Sequence, residues 1–181
     1  MANVSRIAGL IPVSYLNGAM WTGQARMYSI ASAYDTALAI GDPVTLSGTA
    51  DATGNAGIVL ATAGTTNPIV GAIVGLGVSP YFSANTNNLN QVIRPADATP
   101  VWYALVADDP QIVFQIQEST TSTILTAAAV GGNFNLLAGT NNGYVSGWLL
   151  NNTATNNDAT HQVQLIGAPQ VSTNTIGLAS A

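Results

Sequence analysis

Three of the eight acidic side chains of this 181-residue chain lie within thirteen residues, in the stretch VADDPQIVFQIQE (106–118). Asp108 and Asp109 precede Pro110, and Glu118 closes the stretch. Carboxylates in such a cluster could bind calcium together with backbone carbonyls, or could form a glycosidase-type pair with an acid from another strand. The third interpretation is a structural turn, because Asp side chains hydrogen-bond nearby backbone amides and proline favours an extended residue before it.

The spacing of the acids favours the turn. Glu118 lies eight residues beyond Pro110, which is roughly 26 Å along an extended strand, so it cannot join the aspartates within this segment. Between them, apolar side chains at every second position alternate with glutamines, and this period of two predicts a half-buried strand. We therefore predict a turn at Asp108–Asp109 that feeds a strand, with no catalytic residue and no metal site in the chain.

Other chemistries lack the residues that they require. The absence of lysine excludes a phosphate-binding Gly-Lys-Ser/Thr loop and a Schiff base, and the absence of cysteine excludes disulfides and thiolate metal sites. His161 is the only histidine, and a serine triad built on it stays open. Its place at the start of an alternating strand favours a position on the surface, or a hydrogen-bonded position in the core. We predict that the protein is not an enzyme and uses no cofactor.

The composition points to a covered surface. Only 6% of the residues are charged, against roughly 25% in ordinary soluble domains, while 48% are apolar. Three arginines face eight acids, and the net charge of −5 predicts no nucleic-acid binding. A surface so poor in charge suits burial against partners, although Asn, Thr, Ser and Gln could also keep it hydrated.

No segment predicts a membrane span or a leader. The longest apolar run, IVGAIVGLGV (69–78), has ten residues between two prolines, whereas a helical span needs about 20. It predicts a buried strand instead. The N-terminal sequence has neither a basic leader nor a long apolar segment, so we expect no secretory signal.

Short apolar or alternating runs separated by Gly, Asn, Pro, Asp and Thr predict an all-β fold. The candidate strands are ARMYSI (25–30), DPVTLS (42–47), AGIVLATA (56–63), IVGAIVGLGV (69–78), PVWYALVA (100–107), QIVFQIQE (111–118), GYVSGWLL (143–150) and HQVQLIGA (161–168). The one candidate helix is short, at Thr123–Val130, before two glycines. We predict a compact β-barrel or β-sandwich, with residues 1–17 as an extended N-terminal arm and residues 18–181 as a single β-rich domain.

The aromatic residues and one arginine could serve either the core or an interface. Trp102 and Tyr103 should point to opposite faces of their strand, and Trp21 and Trp148 are each candidates for core packing or for anchoring a partner. Arg94, in NQVIRPADA, could pair locally with an aspartate or reach a partner's carboxylate.

The stretch NTNNLNQVIRPADATPVWYALVADDPQIVFQIQE (85–118) resembles the centre of the cement, or head-decoration, proteins of tailed bacteriophages. The segments GLIPVSYLNGAMWTGQARMYSIAS, GDPVTLSGTADATG and VGAIVGLG occur in the order typical of that family. Weaker similarity continues through LTAAAVGGNFNLLAG and VQLIGAPQVSTNTIG. The chain stops at IGLASA, where family members would continue into another apolar strand.

The resemblance implies a non-enzymatic virion protein, made in the host cytoplasm and bound to the capsid exterior. Its partner would be the major capsid protein, whose neighbouring subunits it would join to stabilise the DNA-filled head. The family's small symmetric oligomers imply a homo-oligomer, with a trimer favoured over a dimer. The alternatives are another virion component, such as a head fibre base or tail part, and a carbohydrate-binding β-sandwich module.

For such a protein, the N-terminal segment (2–16) and the loop at 85–94 are the expected contacts. The segment is apolar and interrupted by proline, so it could lie along a neighbour and add strand-like hydrogen bonds. The candidate capsid or subunit contacts are Ile7, Leu10, Ile11, Pro12, Tyr15, Trp21, Leu89 and Arg94.

Overall fold

The regular structure of the protein is β throughout, in a computed structural model that describes residues 4–79, 90–120, 124–153, 159–169 and 176–177. The strands are β1 (Ile11–Tyr15), β2 (Arg26–Ile30), β3 (Leu38–Ala39), β4 (Pro43–Ala50), β5 (Ala56–Leu60), β6 (Gly71–Gly77), β7 (Ile93–Arg94), β8 (Trp102–Ala107), β9 (Ile112–Gln115), β10 (Asn133–Phe134), β11 (Leu136–Leu137), β12 (Leu149–Leu150) and β13 (Val163–Gln164). The predicted all-β class is confirmed. None of the described residues forms a helix long and apolar enough to cross a membrane.

Five strands close into a barrel in the order β2-β5-β4-β6-β8. Every pairing is antiparallel except that of β2 with β5, which meet in parallel at Ser29 and Gly57. Inward side chains of successive strands fill the interior, and Ile30, Val44 and Ile73 are completely buried there. Trp102 belongs to the same core, so of the two open roles it has the packing one.

A second core lies outside the barrel wall, against β6. It joins Leu10, Ala61 and Ala72 to residues of the C-terminal region, including Trp148. Neighbouring residues of β6 serve different cores, because Ala72 faces the second and Ile73 the first. A strand covered on both faces must be apolar at successive positions, which explains the unbroken apolar run at 69–78.

The C-terminal region is held by very short ladders. β10 pairs with β13, and β11 pairs with β12, over two residues each, while β1 pairs with β9. The predicted strands at 143–150 and 161–168 shrink to these two-residue pieces. Two backbones also touch at Gly139 and Gly147, where a Cβ on either glycine would meet the other segment's carbonyl oxygen.

The helix predicted at 123–130 is absent from its described part. Only a 3₁₀ turn, Ala127–Ala129, forms there, and both flanking residues, Thr126 and Val130, are extended. Three alanines between extended residues are too few to offset the cost of nucleating an α-helix.

Candidate functional site

The acids at 108 and 109 form the predicted turn. The Asp109 side chain accepts a hydrogen bond from the Gln111 amide at 2.8 Å, and its carbonyl accepts one from Ile112 at 3.0 Å. The Asp108 carboxylate accepts from the Tyr28 hydroxyl at 2.7 Å and pairs with Arg26 at 3.3 Å. The Asp109 carboxylate thus holds the start of β9, and the Asp108 carboxylate, just after β8, holds the end of that strand to β2.

The third acid of the stretch is bonded elsewhere. Glu118 accepts a hydrogen bond from the Leu125 amide at 3.0 Å, beyond the end of β9.

Burial, and then the Asp108 carboxylate, raise the pKa of Tyr28, so its hydroxyl stays a donor at neutral pH. Among the described residues, no three His, Asp or Glu side chains gather as a metal site would require. The half-buried His161 lies just before β13.

The exposed apolar side chains concentrate at the N-terminus. Within the described residues, ten large apolar side chains are strongly exposed, and six of them precede residue 21. We call these six the N-terminal apolar set: Val4, Ile7, Ile11, Val13, Leu16 and Met20. The other four are scattered at Leu46, Val130, Tyr144 and Ile166. Single exposed apolar residues are ordinary, whereas a concentration of them marks a candidate interaction surface.

A hairpin holds two members of this set, Leu16 and Met20, in place. Tyr15 and Ala19 close a three-residue loop, in which the Tyr15 amide donates to the Ala19 carbonyl at 2.8 Å. Gly18 has φ +86°, which such loops require at their last position and which glycine adopts without strain. Beyond the loop Met20 pairs with Ser14, so Leu16 and Met20 belong to one ordered hairpin.

Hydrogen bonds to Gln24 hold the aromatic side chains of the hairpin in place. The Tyr15 hydroxyl donates to the Gln24 side chain at 2.9 Å, and the Trp21 indole N–H donates to the Gln24 carbonyl at 3.1 Å. Gln24 also donates to the Thr22 hydroxyl at 2.7 Å. The two half-buried aromatic rings therefore have satisfied polar atoms and contribute to a preformed surface.

The N-terminal segment is attached to its own chain. β1 pairs with β9, the Leu10 amide donates to the Gly41 carbonyl at 2.9 Å, and the Gln117 side chain bonds Ser5 and the Arg6 amide. Removal of residues 1–16 would therefore also remove a strand of the fold. Point substitutions at exposed positions are the better test of any contact that this segment makes.

The structure separates the predicted contact residues into groups. Ile7 and Ile11 are exposed, while Pro12, Tyr15 and Trp21 are half-buried. Leu10 is only 3% exposed and packs in the second core, which corrects its assignment as a surface contact. Leu89 lies outside the described residues.

Arg94 is a further correction, because its side chain is completely buried. Its guanidinium group donates to five backbone carbonyls. The acceptors are Ala31 (2.9 Å), Ser32 (3.4 Å), Tyr34 (3.0 Å), Thr36 (3.1 Å) and Pro95 (3.1 Å). It also lies 5.6 Å from the centroid of the Tyr34 ring, and burial lowers its pKa. Arg94 therefore organises the loop at 31–36 rather than a partner's surface.

Leu16, which is 56% exposed, lies in the predicted contact segment (2–16) but was not among the individual contact residues, and Met20, which is 76% exposed, lies outside that segment. A signal existed in the Asn17-Gly18 turn, because a turn between apolar residues predicts a hairpin tip with side chains in solvent. Val13 also lies in the predicted contact segment but was not among the individual contact residues. It bulges between the pairs of Pro12 and Ser14, and sequence periodicity does not reveal a bulge.

Comparison with known proteins adds no relative: no family model, no curated protein and no solved structure matches the chain.

Proposed function

We propose that the protein is a structural virion component that binds the outer surface of a tailed-phage capsid and cements adjacent major capsid subunits. The observation that carries the proposal is the N-terminal apolar set, of which Ile11, Val13, Leu16 and Met20 are exposed on β1 and the hairpin that follows it. The resemblance of residues 85–118 to phage cement proteins supplies the identity of the partner, and the charge-poor composition agrees with a surface that is covered in use.

The surface has properties suited to a stable contact. Arg6 is the only charged residue between positions 4 and 25, so little charge must be desolvated when this region is covered. The hairpin is hydrogen-bonded before binding, which reduces the ordering cost of association. Burial of exposed apolar side chains contributes about 25 cal/mol for each Å² removed from water.

The proposal includes association of the protein with copies of itself, with a trimer favoured over a dimer. Linked copies bind a symmetric lattice with a much higher effective affinity than one copy, even where each contact is weak. A ligand that binds only the assembled shell stabilises that shell by mass action.

The double substitution Leu16→Ser with Met20→Ser tests the contact. We expect it to lower the affinity of the purified protein for undecorated particles by at least about tenfold, which corresponds to about 1.4 kcal/mol. Both side chains are exposed in the free protein, so the free energy of unfolding should change by less than about 0.5 kcal/mol. Cosedimentation with particles measures the first quantity, and urea denaturation the second.

Leu46→Ser is the matched control, because Leu46 is 53% exposed but lies on the barrel strand β4, which pairs with β5 and β6. It should leave the affinity for particles unchanged. If the double variant decorates particles as well as the wild type, the hairpin is not the contact. If the wild type itself fails to bind, the cement role is wrong.

A further inference from the structure

A buried carboxylate lies where the N-terminal segment, the barrel and the C-terminal region meet. Asp42, just before β4, is 2% exposed. Its carboxylate accepts a hydrogen bond from the Ala39 amide at 2.7 Å and a second from the Ser146 hydroxyl. The Ser146 oxygen in turn accepts from the Trp148 amide at 3.2 Å. A single side chain thus connects the barrel to the region that carries Trp148.

The backbone around Asp42 holds the N-terminal segment. The Leu10 amide donates to the Gly41 carbonyl at 2.9 Å, and the Ser146 amide donates to the Ile40 carbonyl at 2.9 Å. A Cβ on Gly9 would overlap Gly41 and Ser146, so the segments touch backbone to backbone. Gly9 and Gly41 also have positive φ, at +67° and +90°. Glycine is required at both positions for this approach.

We propose that this junction is a latch that holds residues 8–10 against the barrel and closes more tightly when Asp42 is protonated. In the closed state the carboxylate is removed from water and has two neutral donors as partners. An ionised group in that position carries a desolvation cost that a protonated one does not. Opening the junction exposes Asp42 to solvent and removes the cost.

The groups around Asp42 leave it without a compensating charge. The strands and loops that pack on it, at 8–10, 71–73, 90–92 and 145–148, contain no charged residue. Arg94 lies on β7, which pairs with β3, but its guanidinium group is directed to the carbonyls of the loop at 31–36 and Pro95. Arg6, farther along the N-terminal segment, is exposed. No cation among these groups offsets the ionised carboxylate.

The sign of the pH dependence follows from burial. Burial raises the pKa of Asp42 above 3.8, although the hydrogen bonds from Ser146 and Ala39 lower it in part. A raised pKa means that the closed latch binds a proton more tightly than the open one. The stabilisation is therefore complete below the ordinary pKa and is lost as the pH rises through the raised pKa of Asp42.

Hydrogen exchange of the Leu10 amide in the full-length protein tests the latch. After correction for the intrinsic exchange rate, we expect protection to fall as the pH rises from 4 to 7. The fall should reach about tenfold for each unit by which the pKa is raised. Asp42→Asn removes the titration, so its protection should be independent of pH in that range. Ser146→Ala removes a hydrogen bond to the ionised form, so its transition should move to higher pH.

Asp35→Asn is the control for general acid effects, because Asp35 is exposed and its carboxylate accepts a hydrogen bond from the Thr36 hydroxyl. It should retain the wild-type profile. Flat protection of Leu10 in the wild type, or an unchanged profile in Asp42→Asn, would overturn the latch. If Asp42→Asn does not fold, the pH profiles of the wild type and of Ser146→Ala show whether the protection of Leu10 depends on the titration of Asp42. These measurements use isolated protein, so the latch and the proposed function can each fail alone.

Discussion

Arg94→Ala is expected to lower the free energy of unfolding by about 3 to 5 kcal/mol, because it removes a buried side chain that satisfies several backbone carbonyls at once. The guanidinium group donates to five carbonyls, four of them in the loop at 31–36. Those carbonyls lose their partner, and alanine leaves a cavity beside Tyr34. Urea denaturation followed by tryptophan fluorescence measures the loss.

Two further substitutions test whether this loss of stability comes from the planar set of guanidinium donors. Arg94→Lys keeps the charge but replaces the guanidinium group with a single ammonium, and should recover only part of the stability. Arg26→Ala removes an arginine whose side chain is 74% exposed, and should cost less than about 1 kcal/mol. A loss below about 1 kcal/mol for Arg94→Ala would show that the loop does not depend on this side chain.

Gln162→Ala is expected to cost about 2 to 4 kcal/mol, because one amide satisfies four backbone groups. Its oxygen accepts from the amides of Gly64 and Leu136, both at 3.0 Å. Its nitrogen donates to the carbonyls of Thr62 and Asn67, both at 2.9 Å. The side chain joins the loop after β5 to β11, so its loss should also reduce the cooperativity between barrel and C-terminal region.

The chain supplies a matched control two residues away. Gln164 is exposed and donates to a single carbonyl, that of Gly131, so Gln164→Ala should cost less than about 0.5 kcal/mol. Gln162→Glu keeps the acceptor but directs a carboxylate at two carbonyls, and its stability should recover when acid protonates the new group. Equal costs for the alanine variants at 162 and 164 would contradict the bridging role.

The barrel strands were predictable because their signal is local. β2, β5, β6, β8 and β9 fall within predicted strands, since each combines apolar or alternating residues with flanking turn residues. β4 begins within a predicted strand but continues to Ala50, beyond the predicted end at residue 47. β6 was also predicted as buried, and its place between two cores shows why its apolar run is unbroken. The turn at Asp108–Asp109 was predictable for the same reason, because Asp and proline act on their immediate neighbours.

The rest depends on partners distant in sequence. Arg94 is bonded to backbone carbonyls and not to a neighbouring acid. Four of these carbonyls, at 31–36, lie about sixty residues earlier in the sequence. Leu10 resembles its apolar neighbours in composition, and only the second core distinguishes it from the exposed Ile11. Two-residue ladders such as β10 with β13 carry no periodicity at all. Tertiary packing decides these features, and a single sequence does not display it.

The cement role is tested most directly by the temperature at which particles release their DNA, followed with a dye that fluoresces on exposed DNA. Three samples are compared: particles decorated with the wild type, particles lacking the protein, and particles incubated with the Leu16→Ser and Met20→Ser double variant. We predict release at the highest temperature from the first sample and at similar, lower temperatures from the other two. Release at one common temperature from decorated and undecorated particles would contradict the cement role.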